Sequence, residues 1–288
     1  MGIITITNYM KLHFTFFISL LFFSVQSQVI TGKITSSENN QSLPFARIGV
    51  MNENIGAVAN QDGIYKIDLS GLDSNKELSV QIGGYESFFK KIKDFKVLSN
   101  HDIILKERVN EIAEVKLTPK TFENKNLGVK SKAKNMVYGF SSNGSNQSAY
   151  KEFAIPFSNK KKLKIERINL HIAKFKTDKP IVLNFNIYAN TANKPGESIL
   201  MENLSTTITA EKIKDGVFSF DLNDYSIWID KQDFYVSVQV MSDFVGDFGF
   251  SAALLRTVFE RTFYSNWEKV TMGSPAINID VKIEKEKR

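Results

Sequence analysis

The side chains able to do chemistry in this chain are few and scattered. Histidine occurs at His13, His101 and His171 only, and cysteine does not occur. Neither His101 nor His171 opens an H-x-x-E zinc pair, because Ile104 and Lys174 stand three positions on. A serine nucleophile elbow needs Gly-x-Ser-x-Gly, and Gly249-Phe250-Ser251 runs on into Ala252-Ala253. There is no glycine loop with phosphate-binding spacing, and without cysteine neither disulfides nor thiolate metal sites can form. These residues lead to an expectation of no catalytic residues, no cofactor and no metal.

Two weaker constellations remain. Oxygen-rich loops suit Ca²⁺, and Asp68, Asp73, Asn75 and Glu77 share one loop while Asp243 and Asp247 flank Val245-Gly246. Neither completes a ligand run, and ordinary turn chemistry accounts for both. Tyr225, Trp228, Tyr264 and Trp267 are the aromatics that a glycan-binding face would use. Packing in the core is the competing role, since a large sandwich needs apolar fillers.

The elements that would hold these residues read as strands. Hydrophobic content of 42% with 24% charged residues belongs to a folded chain, and 23 Phe with 9 Tyr weight it toward β structure. Asp62-Gly63 signals a tight hairpin, after which Tyr65, Ile67 and Leu69 share one face. Short strands are expected at Val29–Ser36, Ala46–Met51, Leu78–Ile82, Tyr85–Ile92, Asp102–Leu105 and Ile112–Leu117, with no helical period between them. Residues 119–134 are poor in apolar side chains and read as a linker.

Beyond residue 134 the strand pattern resumes. Leu163, Ile165 and Arg167 alternate and the phase then switches through Ile168, Leu170 and Ile172, as in a bulged or bent strand. Val182–Tyr188, Val217–Leu222, Gly249–Leu254 and Ile277–Ile283 follow, with a turn at Lys194-Pro195-Gly196. Residues 231–241 read as a central strand with Phe234, Val236, Val238 and Val240 on one face. This density of strands predicts a jelly-roll-like β-sandwich over 135–288.

The N-terminus reads as an export signal. Lys11 and His13 precede an apolar run from Phe14 to Val25, and Val25-Gln26-Ser27 offers a cleavage site. The run falls short of the roughly 20 residues a membrane span needs. Residues 1–27 are therefore expected to leave as a signal peptide, with no transmembrane segment afterwards. The formal charge of +6 could serve nucleic acid or a membrane surface. Along the chain, however, the lysines are spread out and often adjoin Asp or Glu, which argues against either partner.

Within 28–118, the order Gly32, Leu43-Pro44, Ala46, Val50, Gly56, Asp62-Gly63-Tyr65, Leu78-Val80 and Gly84-Tyr85 resembles the carboxypeptidase regulatory-like domain. Gly83-Gly84 carries one glycine more than the commonest form of that family. The resemblance implies a transthyretin-like β-sandwich that is non-catalytic and serves folding and interaction. The expected protein is all-β, a transthyretin-like sandwich followed by a jelly-roll-like one. It is expected in the bacterial periplasm, on the outer-membrane surface or outside the cell, bound to an envelope protein or glycan. A hydrolase- or peptidase-associated protein and a ligand-free structural spacer are the alternatives. N-terminal sequencing of the mature protein should begin at or within a residue or two of Gln28; recovery of Lys11 or Phe14 contradicts cleavage.

Overall fold

The computed structural model describes residues 29–108, 121–144 and 150–285. The expected signal peptide and the strand expected over Ile112–Leu117 lie outside the described residues. The described chain is all-β, arranged in four sheets.

In the first unit, β1 (Val29–Ser36) pairs with β4 (Ile64–Asp68) antiparallel and β7 (Ile103–Leu105) parallel. A second sheet runs in the order β3 (Gly56–Val58), β2 (Arg47–Val50), β5 (Glu77–Gln81), β6 (Phe88–Lys91). Alternation sends Ile34, Tyr65, Ile67, Ile48, Val50, Leu78 and Val80 into one shared core.

Three local expectations are corrected here. The stretch from Gly56 to Leu69 is not a hairpin, because β3 pairs with β2 while β4 pairs with β1 in the other sheet. Residues 45–46 hold Ala59 by Phe45 N–H to Ala59 O (3.0 Å) and Ala59 N–H to Ala46 O (2.9 Å). The chain is thus committed to the β2 sheet before it turns. The side chain of Asn60 then accepts from Asp62 N and Ile64 N (2.9 Å each), and Gly63 at φ 75° completes a corner between sheets. The strand expected over Tyr85–Ile92 shrinks to β6, followed by helix α1 (Ile92–Lys96). Ile92 and Phe95, three apart, both reach the core only on a helical turn. The turn expected at Lys194-Pro195-Gly196 lies instead at Ala192-Asn193, at φ 52° and 59°, and Pro195 sits in an edge strand.

The second unit is a sandwich. One sheet runs β13 (Lys194–Ser198), β12 (Ile181–Thr191), β17 (Phe234–Val240), β10 (Lys151–Phe157), β19 (Val258–Thr262), β20 (Glu268–Val270), with β14 (Leu204–Ile208) also on β12. The other runs β21 (Gly273–Pro275), β18 (Val245–Leu254), β11 (Leu163–Thr177), β22 (Ile277–Glu284), β8 (Phe122–Gly128). In that sheet β15 (Val217–Asp221) and β16 (Trp228–Ile229) also pair with β11, and β9 (Val137–Asn143) pairs with β18. Phe153, Phe185, Val236 and Val238 from the first meet Ile168, Leu170, Phe250 and Ile279 from the second. The phase change expected after Arg167 is a register shift that falls just before it, between Ile165 and Arg167. The 119–134 stretch read as a linker contains β8, which adds to β22 from Gly128 opposite Asn278 to Phe122 opposite Glu284. Being an edge strand, β8 takes its order from main-chain hydrogen bonds and needs few apolar side chains.

The two units are packed against each other. All four residues of β2 are buried: Ile48 and Val50 face the first core, while Arg47 and Gly49 face the second unit. Gly49 lies flat against the Tyr264 ring, Gly56 against the Phe263 ring, and Gly83 and Gly84 against the backbone of Met201 and Glu202. A Cβ on Gly49 would stand 2.6 Å from Tyr264 Cδ2. Gly49→Val should therefore cost about 1–3 kcal/mol by overpacking. Urea unfolding checks this, and an unchanged midpoint would mean the two faces do not touch in solution.

Candidate functional site

Strand register builds the site on the outer face of the seven-stranded sheet. Glu152 on β10 stands opposite Gln239 on β17 and opposite Arg261 on β19. Period-2 alternation puts Ser237 and Tyr188 on the same face, opposite to the core-facing Phe153, Phe185, Val236 and Val238. That polar face would be solvated in an isolated sandwich. Here Glu152 is 1% exposed, and Ser237, Gln239 and Tyr188 are also buried.

Arg47 of the first unit closes the arrangement. Its Nη1 lies 3.2 Å from Glu152 Oε2 and 2.9 Å from Gln239 Oε1. Arg261 Nε donates to the same Glu152 Oε2 (2.8 Å), and Arg261 Nη2 donates to the Tyr188 hydroxyl (2.8 Å). The other carboxylate oxygen accepts from Tyr188 Oη (2.7 Å) and Ser237 Oγ (2.6 Å). Arg261 also lies over the Trp267 ring at 4.1 Å, a cation–π contact. Tyr264 donates from its hydroxyl to the Arg47 carbonyl (2.9 Å), and Arg47 stands over its ring at 5.7 Å.

The electrostatics follow from these contacts. Burial pushes the Glu152 carboxyl up, but Arg261 and Arg47, with the hydroxyls of Ser237 and Tyr188, outweigh it and hold the group at about 2. Burial likewise opposes charge on Arg47, and Tyr188 and Glu152 overcome it to keep the guanidinium protonated. Burial lifts the Tyr264 phenol to about 12. Two guanidiniums share one carboxylate, which leaves a positive surplus.

This cluster floors a cleft of about 450 Å³ between the units. Arg47, Gln81, Phe89 and Arg108 line it from the first unit; Tyr188, Glu197, Ser198, Arg261 and Tyr264 line it from the second. Its wall therefore combines three guanidiniums, the Glu197 carboxylate, neutral hydrogen-bonding groups and a rim aromatic, Phe89, that is 48% exposed.

Of the four aromatics singled out in the sequence, Tyr264 and Trp267 belong to this cluster, and Tyr225 and Trp228 do not. Tyr225 is half-buried against the sandwich core, and Trp228 is 41% exposed between Phe122 and Lys162. That second pair lines a separate hollow of about 200 Å³. The acidic candidates part as well: Asp243 pairs with Lys179 (3.0 Å) and Asp247 with Lys174 (2.7 Å). Asp68 and Asp73 accept from the backbone two residues on, at Ser70 and Asn75 (2.9 Å each). His171 Nε2 is 2.6 Å from Asn278 Oδ1, and His101 packs edge-on to Phe95, so the two histidines serve different cores. Arg47, Glu152, Arg261 and Gln239 escaped the sequence reading. Each occupies a strand position whose alternation points to solvent, and nothing local says that another sheet covers it.

These features define a two-unit, all-β protein with a charged cleft where the units meet. Residues 30–117 match the family model for the CarboxypepD_reg-like domain, a family whose domains are regulatory and non-catalytic. No curated protein matches the chain. Among solved structures, a chain of the infectious bursal disease virus Gx strain is similar at 10% identity and TM-score 0.29, over 90% of this chain and 56% of that one. The major pilin subunit BcpA of Bacillus cereus is similar at 10% identity and TM-score 0.16, over 86% of this chain and 68% of that one. Likenesses this loose carry no argument about activity.

Acid should loosen the site. Because the folded Glu152 carboxyl titrates below its ordinary value of 4.5, its stabilisation is complete above pH 4.5 and drains away as pH falls toward 2. Glu152→Gln should flatten stability against pH in that window. Arg47→Ala at neutral pH should cost about 3–5 kcal/mol, as removal of one partner from a buried pair does. Chemical denaturation across that pH range checks both; a loss under about 1 kcal/mol for Arg47→Ala would place the pair in water.

Proposed function

We propose that this is an exported, non-catalytic interaction protein of the bacterial cell envelope or surface, which binds a protein or glycan partner in the cleft between its two units. The observation that carries the reading is the state of Glu152. It is a buried carboxylate beneath the cleft, bonded to Arg47, Arg261 and Tyr188 of the cleft wall, and two guanidiniums with two hydroxyls hold it ionised. A general acid or base works best with a pKa near the operating pH, and a group at about 2 is far from it. What the cleft offers is shape, cationic surface and hydrogen bonds, the equipment of recognition. The family of the first unit supports the same reading, because its domains regulate and do not catalyse. Export is supported by the basic start, the apolar run from Phe14 to Val25 and the Val25-Gln26-Ser27 cleavage pattern.

The test is an array of purified bacterial surface polysaccharides, with solubilised outer-membrane proteins alongside, probed with the chain from Gln28 onward. Binding should fall about tenfold in Phe89→Ala, which removes the rim aromatic while leaving the buried network intact. Hydrolysis of peptide, ester or glycoside substrates that disappears in Glu152→Gln would overturn the reading. So would binding that is indifferent to Phe89.

A further inference from the structure

We propose that one end of the second sandwich docks on an anionic lipid surface. Three segments meet there: the turn between β18 and β19, the turn between β20 and β21, and residues 129–136. Leu255 N–H donates to Met272 O (3.1 Å), Ser131 Oγ to Ala252 O (3.2 Å), and Ala252 N–H to Met136 O (2.9 Å).

The tip of this end is apolar and stands in water. Leu255 is 88% exposed, Met272 80% and Leu254 61%. Burying leucine side chains is favourable, and this tip forgoes that gain in the free protein. Leu255 also sits at φ 54°, in the left-handed region that disfavours a side chain with a Cβ. Glycine or asparagine would make the same turn at less cost and without the exposed apolar surface. A residue that serves neither the turn nor the core is selected by something outside the chain.

The surroundings of the tip are cationic. Lys130, Lys132, Lys134 and Arg256 are all exposed, and residues 129–137, 251–258 and 270–276 contain no Asp or Glu. The first acidic residues further along the hairpin are Glu260 on β19, which faces Lys151 (3.6 Å), and Glu268 on β20. Four positive charges around a protruding Leu-Leu-Met tip match an interface whose headgroups are negative and whose interior is hydrocarbon. A protein partner would need a broad surface of about 800 Å² per side, and three projecting side chains do not supply one. Folding adds Arg256 and the apolar tip to the closely spaced Lys130, Lys132 and Lys134, which already stand in a stretch without acidic residues.

Co-sedimentation of the chain from Gln28 onward with vesicles tests the proposal. Vesicles of phosphatidylcholine with phosphatidylglycerol should bind it, and phosphatidylcholine alone should not. Changing Lys130, Lys132, Lys134 and Arg256 together to Gln should weaken binding by at least about a hundredfold, since each juxtamembrane cation contributes several-fold. Leu255→Gly with Met272→Ser should weaken it by about tenfold or more. Thermal stability of Leu255→Gly should hold or rise, because glycine suits φ 54°, and that separates a docking role from a folding role. Equal binding to both vesicle types, wild-type binding by either variant, no binding at all, or binding to heparin without binding to anionic vesicles would each overturn the proposal.

Discussion

Removing a guanidinium from water costs several kcal/mol, and Arg47 incurs that cost to reach a carboxylate 105 residues further along the chain. The rest of the junction answers to this one contact. Glu152 needs more than one cation to remain ionised so far from solvent, and the β10–β19 register supplies the second from Arg261. Its remaining lone pairs need donors, and the same face supplies Ser237 and Tyr188. Gln239, opposite Glu152 across β17, takes up the surplus hydrogen-bonding capacity of Arg47. Well-packed apolar residues could match such a cluster in stability. The ionic version adds a single permitted seating, because a shift by one strand spacing of about 4.8 Å would leave a buried charge without its partner.

Seating also requires that nothing protrude. The first unit meets the second through backbone at Gly49, Gly56, Gly83 and Gly84, where any Cβ would overlap an aromatic ring or a carbonyl. The doubled glycine at 83–84, which departs from the commoner form of the family motif, gains a physical role here. It lets the end of β5 approach residues 201–202 closely enough to shut one side of the cleft. Phe263, at φ 50°, is held on the other side with its ring against Gly56 and Tyr150. Aromatic faces against bare backbone form a thin, flat contact, and between them the long side chains of Arg47 and Arg261 define the floor.

Much of this fold could be read from the residues alone, for a clear reason. Wherever one strand face is buried in its own unit's core, alternation records it, as with Tyr65, Ile67 and Leu69, or Phe234, Val236, Val238 and Val240. The bulge in β11 was visible because a slip of one residue reverses every later side chain. What escaped lies outside that signal. The corner at Asn60–Gly63 uses the same turn residues as a hairpin, and only pairing with distant β1 and β2 separates the two outcomes. Edge strand β8 is held by backbone bonds that leave little trace in composition. Glu152, Ser237 and Gln239 present the pattern of a solvated face, because burial by a second unit is not a property of the strand that is buried. Tyr264 and Trp267 were noticed for their rings, but their company, Arg47 and Arg261, is assembled only by tertiary packing.

The chemistry of the junction limits what it can do. A titratable group takes part in proton transfer when its two charge states are close in energy, and every strong contact that Glu152 makes separates them. The same contacts make the floor rigid, and rigidity is what recognition demands of a surface. The residues behind the cluster are the apolar core of the sandwich, and the cleft wall sets the Glu197 carboxylate among its three guanidiniums. The apolar tip at Leu255 lies where β18 passes to β19, whereas Arg261 lies toward the far end of β19 on the outer sheet face. Contact at the tip leaves that face and its cleft open to a partner.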